Sequence, residues 1–143
     1  MIRVPPSPAL ALLPLDRHEL AACLEAMLLR AGRLCELELI CLRDADIARL
    51  NADCLGCAGP TNILAWPDGQ AGAAGIPPGE KTKKTPATLV MSVDAVRREA
   101  SLYGQEPAAY CRSLLAHGLA HALGHDHGRG MDDLCARMLN CEG

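Results

Sequence analysis

Four of the five histidines of this 143-residue chain lie within eleven residues, from His117 to His127. His117 and His121 are four residues apart, so on a helix they lie on one face, one turn apart. Gly124 follows three residues later and can adopt the left-handed conformation that ends a helix. His127 then returns to the same point from a loop. The spacing predicts three converging imidazoles with a fourth position open, as in a catalytic zinc site.

The same run has a simpler interpretation, a histidine-rich helix end in which imidazolium groups interact with the helix dipole. His125 stands between the turn and Asp126, and we expect it to face solvent rather than bind the metal. The spacing also matches the long zinc-protease signature, except that Gly118 replaces the catalytic glutamate. Glycine cannot take a proton from water, so the pattern predicts the metal scaffold without the usual proteolytic base.

Length and composition limit the fold and the partners. A chain of 143 residues suits a single domain, 1–143, with a modest core, and 50% of its residues are apolar. The net charge of −3 argues against bulk binding of nucleic acid, DNA included, although a local basic patch remains compatible. No apolar stretch is long enough to cross a bilayer, and the start of the chain lacks a good signal peptide. We therefore expect a cytoplasmic protein without a membrane partner.

The chain contains eight cysteines, most of them inside helical or strand patterns, where a free thiol behaves as a small hydrophobe. Cys54 and Cys57 form a C-x-x-C pair, which could be redox-active or hold a second metal. No second Cys/His pair lies nearby in the sequence, which favours an ordinary pair of thiols.

Periodicity predicts several helices and strands, interspersed along the chain. Asp16 is the expected cap of a first helix, with Glu19 reaching back, and Gly32 ends that helix. Asp94 is the expected cap of a later helix that runs to about Tyr103. The remaining predicted elements are strands over 36–42, 62–66 and 88–93 and helices over 44–51, 108–123 and 131–139.

The segment 67–86 is rich in glycine, proline and lysine and has no period, so we expect a surface loop. In the long helix 108–123, the face away from the histidines is mostly apolar, which predicts that this helix is central and buried. Strands and helices do not alternate regularly. The sequence therefore predicts an α+β domain with one mixed β-sheet of about four strands, packed with helices around the histidine-bearing helix.

Two segments resemble the bacterial YbeY family of rRNA maturation factors and endoribonucleases. The first is His117-Gly118-x-x-His121-x-x-Gly124-x-Asp126-His127. The second is Leu50-Asn51 followed by Pro60-Thr61-Asn62-Ile63-Leu64-Ala65-Trp66-Pro67, which is similar to the family's Leu-Asn and Pro-Thr-Asp/Asn-Val-Leu-Ser-Phe-Pro stretch at the same spacing. The resemblance covers roughly residues 35–140, because the strand 88–92 also lies where the family has one.

The resemblance implies a zinc-dependent single-strand endoribonuclease that processes the 3′ end of small-subunit rRNA, with the small ribosomal subunit as partner. It implies that His117, His121 and His127 bind the zinc ion. Asp126 is a candidate general base or a partner that orients a ligand, although an ordinary turn aspartate fits equally well. We also expect the substrate cleft to lie between the histidine-bearing helix and the segment 51–66.

The chain departs from the family pattern at several positions. Leu55 stands where the family has an arginine, and losing a guanidinium removes a strong phosphate ligand. The three lysines of the long loop could supply charge instead, or be solvated. Other departures are the replacement of an aromatic residue by Cys54, of Gly-Asp by Ala87-Thr88, and of two leucines by Ala120 and Ala122.

Two alternative functions remain compatible with the sequence. One is a metal-dependent hydrolase of another substrate, such as a peptide, which Gly118 disfavours. The other is a ribosome-binding factor with structural zinc and no nuclease activity, which Leu55 favours.

Overall fold

A computed structural model describes residues 2–56, 59, 61–67, 87–125 and 128–139. The described chain contains four strands, five α-helices and one short 3₁₀ helix, Pro8–Leu12. In chain order the strands and α-helices are β1 (Ile2–Arg3), α1 (Arg17–Ala31), β2 (Leu37–Leu42), α2 (Asp44–Leu55), β3 (Ile63–Trp66), β4 (Ala87–Ser92), α3 (Val93–Leu102), α4 (Pro107–Ala122) and α5 (Arg129–Leu139).

The four strands form one mixed sheet in the order β1-β2-β4-β3. β1 is parallel to β2, and β2 is parallel to β4. β3 is antiparallel to β4, with Ile63 opposite Met91 and Trp66 opposite Thr88. The predicted α+β class and mixed sheet are therefore confirmed, and β3 lies at one edge of the sheet with β1 at the other.

The two faces of the sheet bury different amounts of apolar surface. One face packs on a large core that includes buried residues of α1, α3, α4 and α5. The other face is covered by α2, whose Ile47 packs on Val90 with half-buried neighbours that include Leu64 and Trp66. Successive residues of a strand point to opposite faces, so Ile63 and Ala65 join the large core while Leu64 and Trp66 join the small one.

Several helix ends follow the local chemistry predicted from the sequence. Asp16 accepts a hydrogen bond from the backbone N–H of Glu19, and the Glu19 side chain accepts one from the N–H of Asp16, which completes a capping box. Gly32 ends α1 in the left-handed region, with φ of 67°. The predicted central helix is confirmed as α4, which buries Leu114, Leu115, Leu119 and Ala122.

Other boundaries predicted from the sequence were wrong. α3 is capped by Ser92 rather than Asp94, because the Ser92 hydroxyl at the end of β4 accepts from the N–H of Ala95. α2 continues past Asn51 to Leu55, where Gly56 ends it with φ of 66°. α5 begins two residues earlier than predicted, and β1 was not predicted, because a two-residue strand has no alternation and forms only by pairing with β2.

Some sequence predictions fall on residues outside the described ranges. They concern most of the expected surface loop (68–86) with its three lysines, the second thiol of the C-x-x-C pair, and both final residues of the histidine motif. These residues are Lys81, Lys83, Lys84, Cys57, Asp126 and His127. Within the described residues, no helix combines the length and apolarity that a membrane span requires.

Candidate functional site

The helix α4 positions the first two histidines of the motif. Pro107 occupies its first turn, where a missing N–H costs nothing, and the Glu106 side chain caps the helix by accepting from the N–H of Ala108. The helix then runs for 16 residues over the sheet, with its leucines in the large core. A long buried anchor of this kind holds the last turns of the helix, which carry the histidines, in a fixed place.

The end of α4 is a tight reversal built on glycine. Gly124 has φ of 95°, in the left-handed region, as the sequence predicted. Its N–H donates to the carbonyl of His121 at 3.0 Å, and the N–H of His125 donates to the carbonyl of Ala120 at 3.0 Å. These two bonds are the Schellman pattern, which satisfies the last carbonyls of the helix and turns the chain back along it.

His117 and His121 lie side by side on one face of α4. Their ring centroids are 4.8 Å apart and the ring planes meet at 81°, in an edge-to-face arrangement. Both residues are half-buried, and both line the same cleft. The predicted neighbourhood of these two imidazoles is therefore confirmed.

Gly118 lets α4 approach the edge strand closely. A Cβ atom at this position would lie 2.5 Å from Cδ1 of Ile63 on β3 and 3.4 Å from Cδ2 of Leu89 on β4. The position where a zinc protease carries its glutamate is therefore filled by the sheet. A carboxylate side chain does not fit there unless the side chain of Ile63 moves.

The cleft beside the histidines has a volume of about 490 Å³. One wall is α4 and the turn after it, and the other is formed by Asn62, by Ile63 to Ala65 of β3, and by Pro67. This placement confirms, for Asn62 to Ala65, the predicted cleft between the histidine-bearing helix and the segment 51–66. His125 was expected to face solvent, but it is half-buried and lines the cleft, because the turn folds it back along α4.

A hydrogen-bonded cluster joins Asn62, in the wall of the cleft, to α3 and α4. Nδ2 of Asn62 donates to Oε1 of Glu99 at 3.1 Å, and the hydroxyl of Tyr110 donates to the same oxygen. Oδ1 of Asn62 accepts from the N–H of Ile63 at 2.7 Å. Burial, and then the hydrogen bond to Glu99 and its negative charge, raise the pKa of Tyr110 well above the ordinary value, so the phenol stays a donor.

Sequence reasoning missed this cluster. Glu99 belongs to a polar stretch of α3 that carries no recognisable motif. Tyr110 did give a signal, because it precedes His117 by seven residues, two helical turns, and thus shares its face of α4.

The segment before β3 is tied to α2 by Asn51, which is buried although polar. Its side-chain N–H donates to the carbonyl of Gly59 at 3.1 Å. The Leu50-Asn51 part of the second motif therefore anchors the chain that leads into the wall of the cleft. Leu55 is the last residue of α2, and its side chain lies outside the described part of the structure.

Two ion pairs join the helix starts at the carboxyl ends of β2 and β4. Nε of Arg43 donates to the carboxylate of Asp94 at 3.0 Å, and Arg98 donates to Asp44 at 2.7 Å. These bonds hold the pKa of each aspartate below its usual value.

The described cysteines behave mainly as small apolar residues. Burial raises the pKa of the thiols of Cys41 and Cys111 to about 12, so both stay protonated and pack in the large core. Cys54 is exposed on α2, while its partner in the C-x-x-C pair lies outside the described residues.

Of the three predicted metal ligands, the structure describes two, His117 and His121. Among the residues that the structure describes, no three potential ligands of the His, Cys, Asp or Glu type gather at one point. The third candidate, His127, and the candidate base Asp126 are outside those residues. The donor set that is described, two adjacent imidazoles facing a cleft, suits zinc, since two ligands bound at about 2.0–2.1 Å to one ion must be neighbours.

Comparison with known proteins agrees with the resemblance seen in the two motifs. The family model "Endoribonuclease YbeY" matches residues 15–141. Proteins named Endoribonuclease YbeY include one from Oleidesulfovibrio alaskensis, 38% identical over 90% of this chain and 83% of its own length. Another, from Lawsonia intracellularis, is 39% identical over 89% of this chain and 86% of its own length.

A solved structure supports the fold. The solution structure of a protein from Thermotoga maritima superimposes with a TM-score of 0.60 over 98% of this chain and 90% of that protein, at 17% sequence identity. At that identity the likeness concerns the fold alone. The sequence matches, which extend over most of the chain, carry the assignment further: this protein belongs to the YbeY family of endoribonucleases.

Proposed function

We propose that this protein is a metal-dependent endoribonuclease that cleaves single-stranded RNA in the cleft between α4 and β3. The observation that carries the proposal is the pair of half-buried imidazoles, His117 and His121, facing the segment Asn62–Ala65 across that cleft. The family name supports RNA as substrate. Processing of the 3′ end of small-subunit rRNA, in the cytoplasm and in contact with the small ribosomal subunit, is the role we propose from the family resemblance.

One zinc ion per chain, held by His117, His121 and His127, is part of the proposal. The supporting observations are the adjacent rings on α4 and the left-handed turn at Gly124 that sends the chain back toward them. When bound, zinc supplies Lewis-acid activation of water and stabilises negative charge on a phosphodiester. The core packing of α4 keeps both imidazoles in place before substrate arrives.

The second wall of the cleft supplies binding groups along an extended chain. β3 pairs with β4 on one side and, within the described residues, with no strand on the other, so its outer backbone groups face the cleft edge. An extended single strand can follow such an edge, and its unstacked bases are open to contact. In duplex RNA the bases are stacked and paired, so they are not open to contact in this way. Single-stranded RNA is therefore the proposed substrate.

The experiment that tests the proposal joins metal content to cleavage. Purified protein is analysed for zinc and then given a single-stranded fragment from the 3′ region of small-subunit rRNA and, separately, the same sequence annealed to its complement. We expect about one zinc per chain, endonucleolytic products from the single strand, and little cleavage of the duplex. No cleavage by zinc-loaded protein would contradict the proposal.

A peptide hydrolase is the second candidate, because an open sheet edge beside a histidine pair can also accept a peptide as an added strand. Gly118 counts against it, since the sheet fills the place of the proteolytic glutamate. Casein incubated with the same zinc-loaded protein separates the two candidates. A ribosome-binding factor without nuclease activity would bind small subunits and zinc but leave both RNA and casein intact.

A further inference from the structure

We propose that Glu99 is a positioning residue that fixes the wall of the cleft, through Asn62, relative to the histidine-bearing helix α4. The proposal rests on the proposed nuclease function and adds to it a residue outside the two sequence motifs. Glu99 lies on α3, Asn62 precedes β3, and Tyr110 lies on α4, so one carboxylate oxygen joins three elements.

The position of Tyr110 makes this connection relevant to the histidines. Tyr110 precedes His117 by seven residues, so both side chains leave nearly the same face of α4, about 10 Å apart along the axis. A contact that fixes Tyr110 therefore also fixes the N-terminal part of α4, on the same face as the imidazoles. The ring of Tyr110 is buried and lies 6.0 Å from that of Tyr103, which limits its motion further.

Both polar atoms of the Asn62 side chain are engaged. Its Nδ2 donates to Glu99 and its Oδ1 accepts from the N–H of Ile63, so the orientation of the amide is fixed. Asn62 also lines the cleft, and its carbonyl accepts from the N–H of Ser92 at 2.8 Å, which joins it to the end of β4. A residue with these contacts holds a single conformation beside the cleft.

The carboxylate is the group that this arrangement requires. Two donors share one oxygen of Glu99, and a charged acceptor binds each of them more strongly than a neutral one. Without it, the side-chain N–H of Asn62 and the hydroxyl of Tyr110 lose their shared acceptor and keep only the hydrogen bond between them. The expected result is a β3 wall that is free to change its distance from α4, and a small error in such a distance can reduce catalysis by as much as about 100-fold.

The test compares Glu99→Gln, Glu99→Ala and Tyr110→Phe with Glu25→Gln, an exposed change on α1 away from the cleft. Nuclear magnetic resonance of the metal-free proteins follows the side-chain amide of Asn62, assigned through Asn62→Asp. Cleavage kinetics of the zinc-loaded proteins give kcat and KM, and thermal unfolding gives the folded fraction used to normalise them.

We expect Glu99→Ala to shift the Asn62 amide signals and to lower kcat about tenfold at little change in KM, within the range that misplacement can cost. Glu99→Gln keeps a neutral acceptor and should recover part of that loss, while Tyr110→Phe should give an intermediate loss and Glu25→Gln none. Unchanged Asn62 signals in Glu99→Ala, or a kcat per folded molecule equal to that of the wild type, would overturn the proposal.

Two further outcomes are also decisive. If Glu99→Ala does not fold, the same comparison is made with Glu99→Gln and Tyr110→Phe, and unchanged Asn62 signals in both overturn the proposal. If the wild type does not cleave RNA, the nuclease function fails, but the role of Glu99 is still read from the Asn62 signals and from binding of a labelled single-stranded oligonucleotide. Equal signals and equal binding in wild type and Glu99→Ala then overturn it.

Discussion

The two edges of the sheet carry cavities of opposite character. At the β1 edge, a groove of about 820 Å³ lies between the end of α1 and the start of β2, and its lining includes the exposed side chains of Leu29 and Leu34. At the β3 edge, the smaller cleft of about 490 Å³ is lined by His117, His121 and the strand that faces them. The groove is larger, but the cleft holds the groups that can bind a metal and a polar chain.

The difference shows that the volume of a cavity matters less here than how closely a helix approaches the strand beside it. Gly118 brings α4 onto β3, so its histidines stand next to exposed backbone groups. At the β1 edge the groove is lined by aliphatic side chains with Glu25, Arg33 and Glu36, and histidine is not among its described lining residues. The first prediction tests this contrast where its effect should be largest.

Replacing His121 by alanine should remove stoichiometric zinc and lower RNA cleavage by more than about 100-fold, since even residues that only orient a metal ligand cost about 10–100-fold. His18→Ala, an exposed change on α1, is the matched control and should keep both. Zinc analysis and cleavage rates are measured on the same preparations. Full retention of zinc by His121→Ala would refute the metal assignment.

The departure at Leu55 predicts a gain of activity. Leu55→Arg restores the arginine of the family pattern at the end of α2, and one charge-assisted contact to phosphate contributes roughly 1.5–3 kcal/mol. If the contact forms in the transition state, kcat/KM should rise by about tenfold or more. Ala52→Arg, at an exposed position one turn earlier, adds the same charge as a control.

The Leu55 experiment is run at fixed salt and matched zinc occupancy. A gain in kcat/KM restricted to Leu55→Arg indicates a specific contact with phosphate. Equal gains in both variants indicate a general effect of adding positive charge to an acidic protein. Equal, robust cleavage by wild type and Leu55→Arg would show that the departure costs nothing.

Much of the histidine helix was predictable because its determinants are local. Three local signals define it: Pro107 at the start, the four-residue spacing of His117 and His121, and Gly124 at the end. Each acts on residues within about one turn of its own position. The apolar stripe of α4 likewise fixed which face would be buried. The prediction of the cleft itself depended on the resemblance in the second segment, which placed β3 opposite the helix.

The parts that were not predicted depend on contacts between distant residues. β1 exists because Ile2 and Arg3 pair with β2, and nothing in two residues reveals a strand. The role of Glu99 arises from residues 37 and 11 positions away along the chain. His125 was misjudged because the hydrogen bond of its N–H to Ala120, rather than its polarity, decides where it lies.

The role of the turn that ends the histidine helix can be tested with a substitution that acts only through backbone conformation. Gly124→Val should destabilise the protein by about 1–3 kcal/mol and weaken zinc binding, because a β-branched residue resists a φ of 95°. No heavy atom lies within 4 Å of the added Cβ in the described structure, so a clash is not the cause.

Gly130→Ala is the matched control for this turn. Gly130 lies within α5, has no left-handed φ and also leaves open space for a Cβ. Alanine there should stabilise the protein by about 0.5–1 kcal/mol through helix propensity. Thermal unfolding and zinc titration of both variants give the comparison, and a Gly124→Val protein that binds zinc like the wild type would argue against the turn as part of the site.

The close approach at the β3 edge predicts a smaller effect. Gly118→Ala places a methyl group 2.5 Å from Cδ1 of Ile63, and overpacking of about 1–3 kcal/mol is partly offset by about 1 kcal/mol of helix propensity. We expect a net loss of about 1 kcal/mol in unfolding free energy. Ile63→Val removes the clashing atom, so the double variant should lose less than the sum of the two single variants in a chemical-denaturation cycle.

The smallest expected effect belongs to the opposite edge. Leu34 is fully exposed between α1 and β2, at 103% of its reference area, so Leu34→Ser removes no buried surface. Unfolding free energy should change by less than about 0.5 kcal/mol, the usual range for such surface positions. Zinc content and kcat/KM should stay at wild-type values, because the groove lies across the sheet from the cleft.

An unchanged kcat/KM in Leu34→Ser is needed if only the β3 edge of the sheet takes part in cleavage. A fall in kcat/KM on short RNA would mean that the β1 edge takes part in cleavage, and the chemistry of the β3 cleft would no longer account for activity. A fall confined to long ribosomal RNA, with short RNA cleaved normally, would instead make the groove a second contact for the substrate. Unchanged rates on both substrates leave the histidine cleft as the place where the metal and the RNA meet.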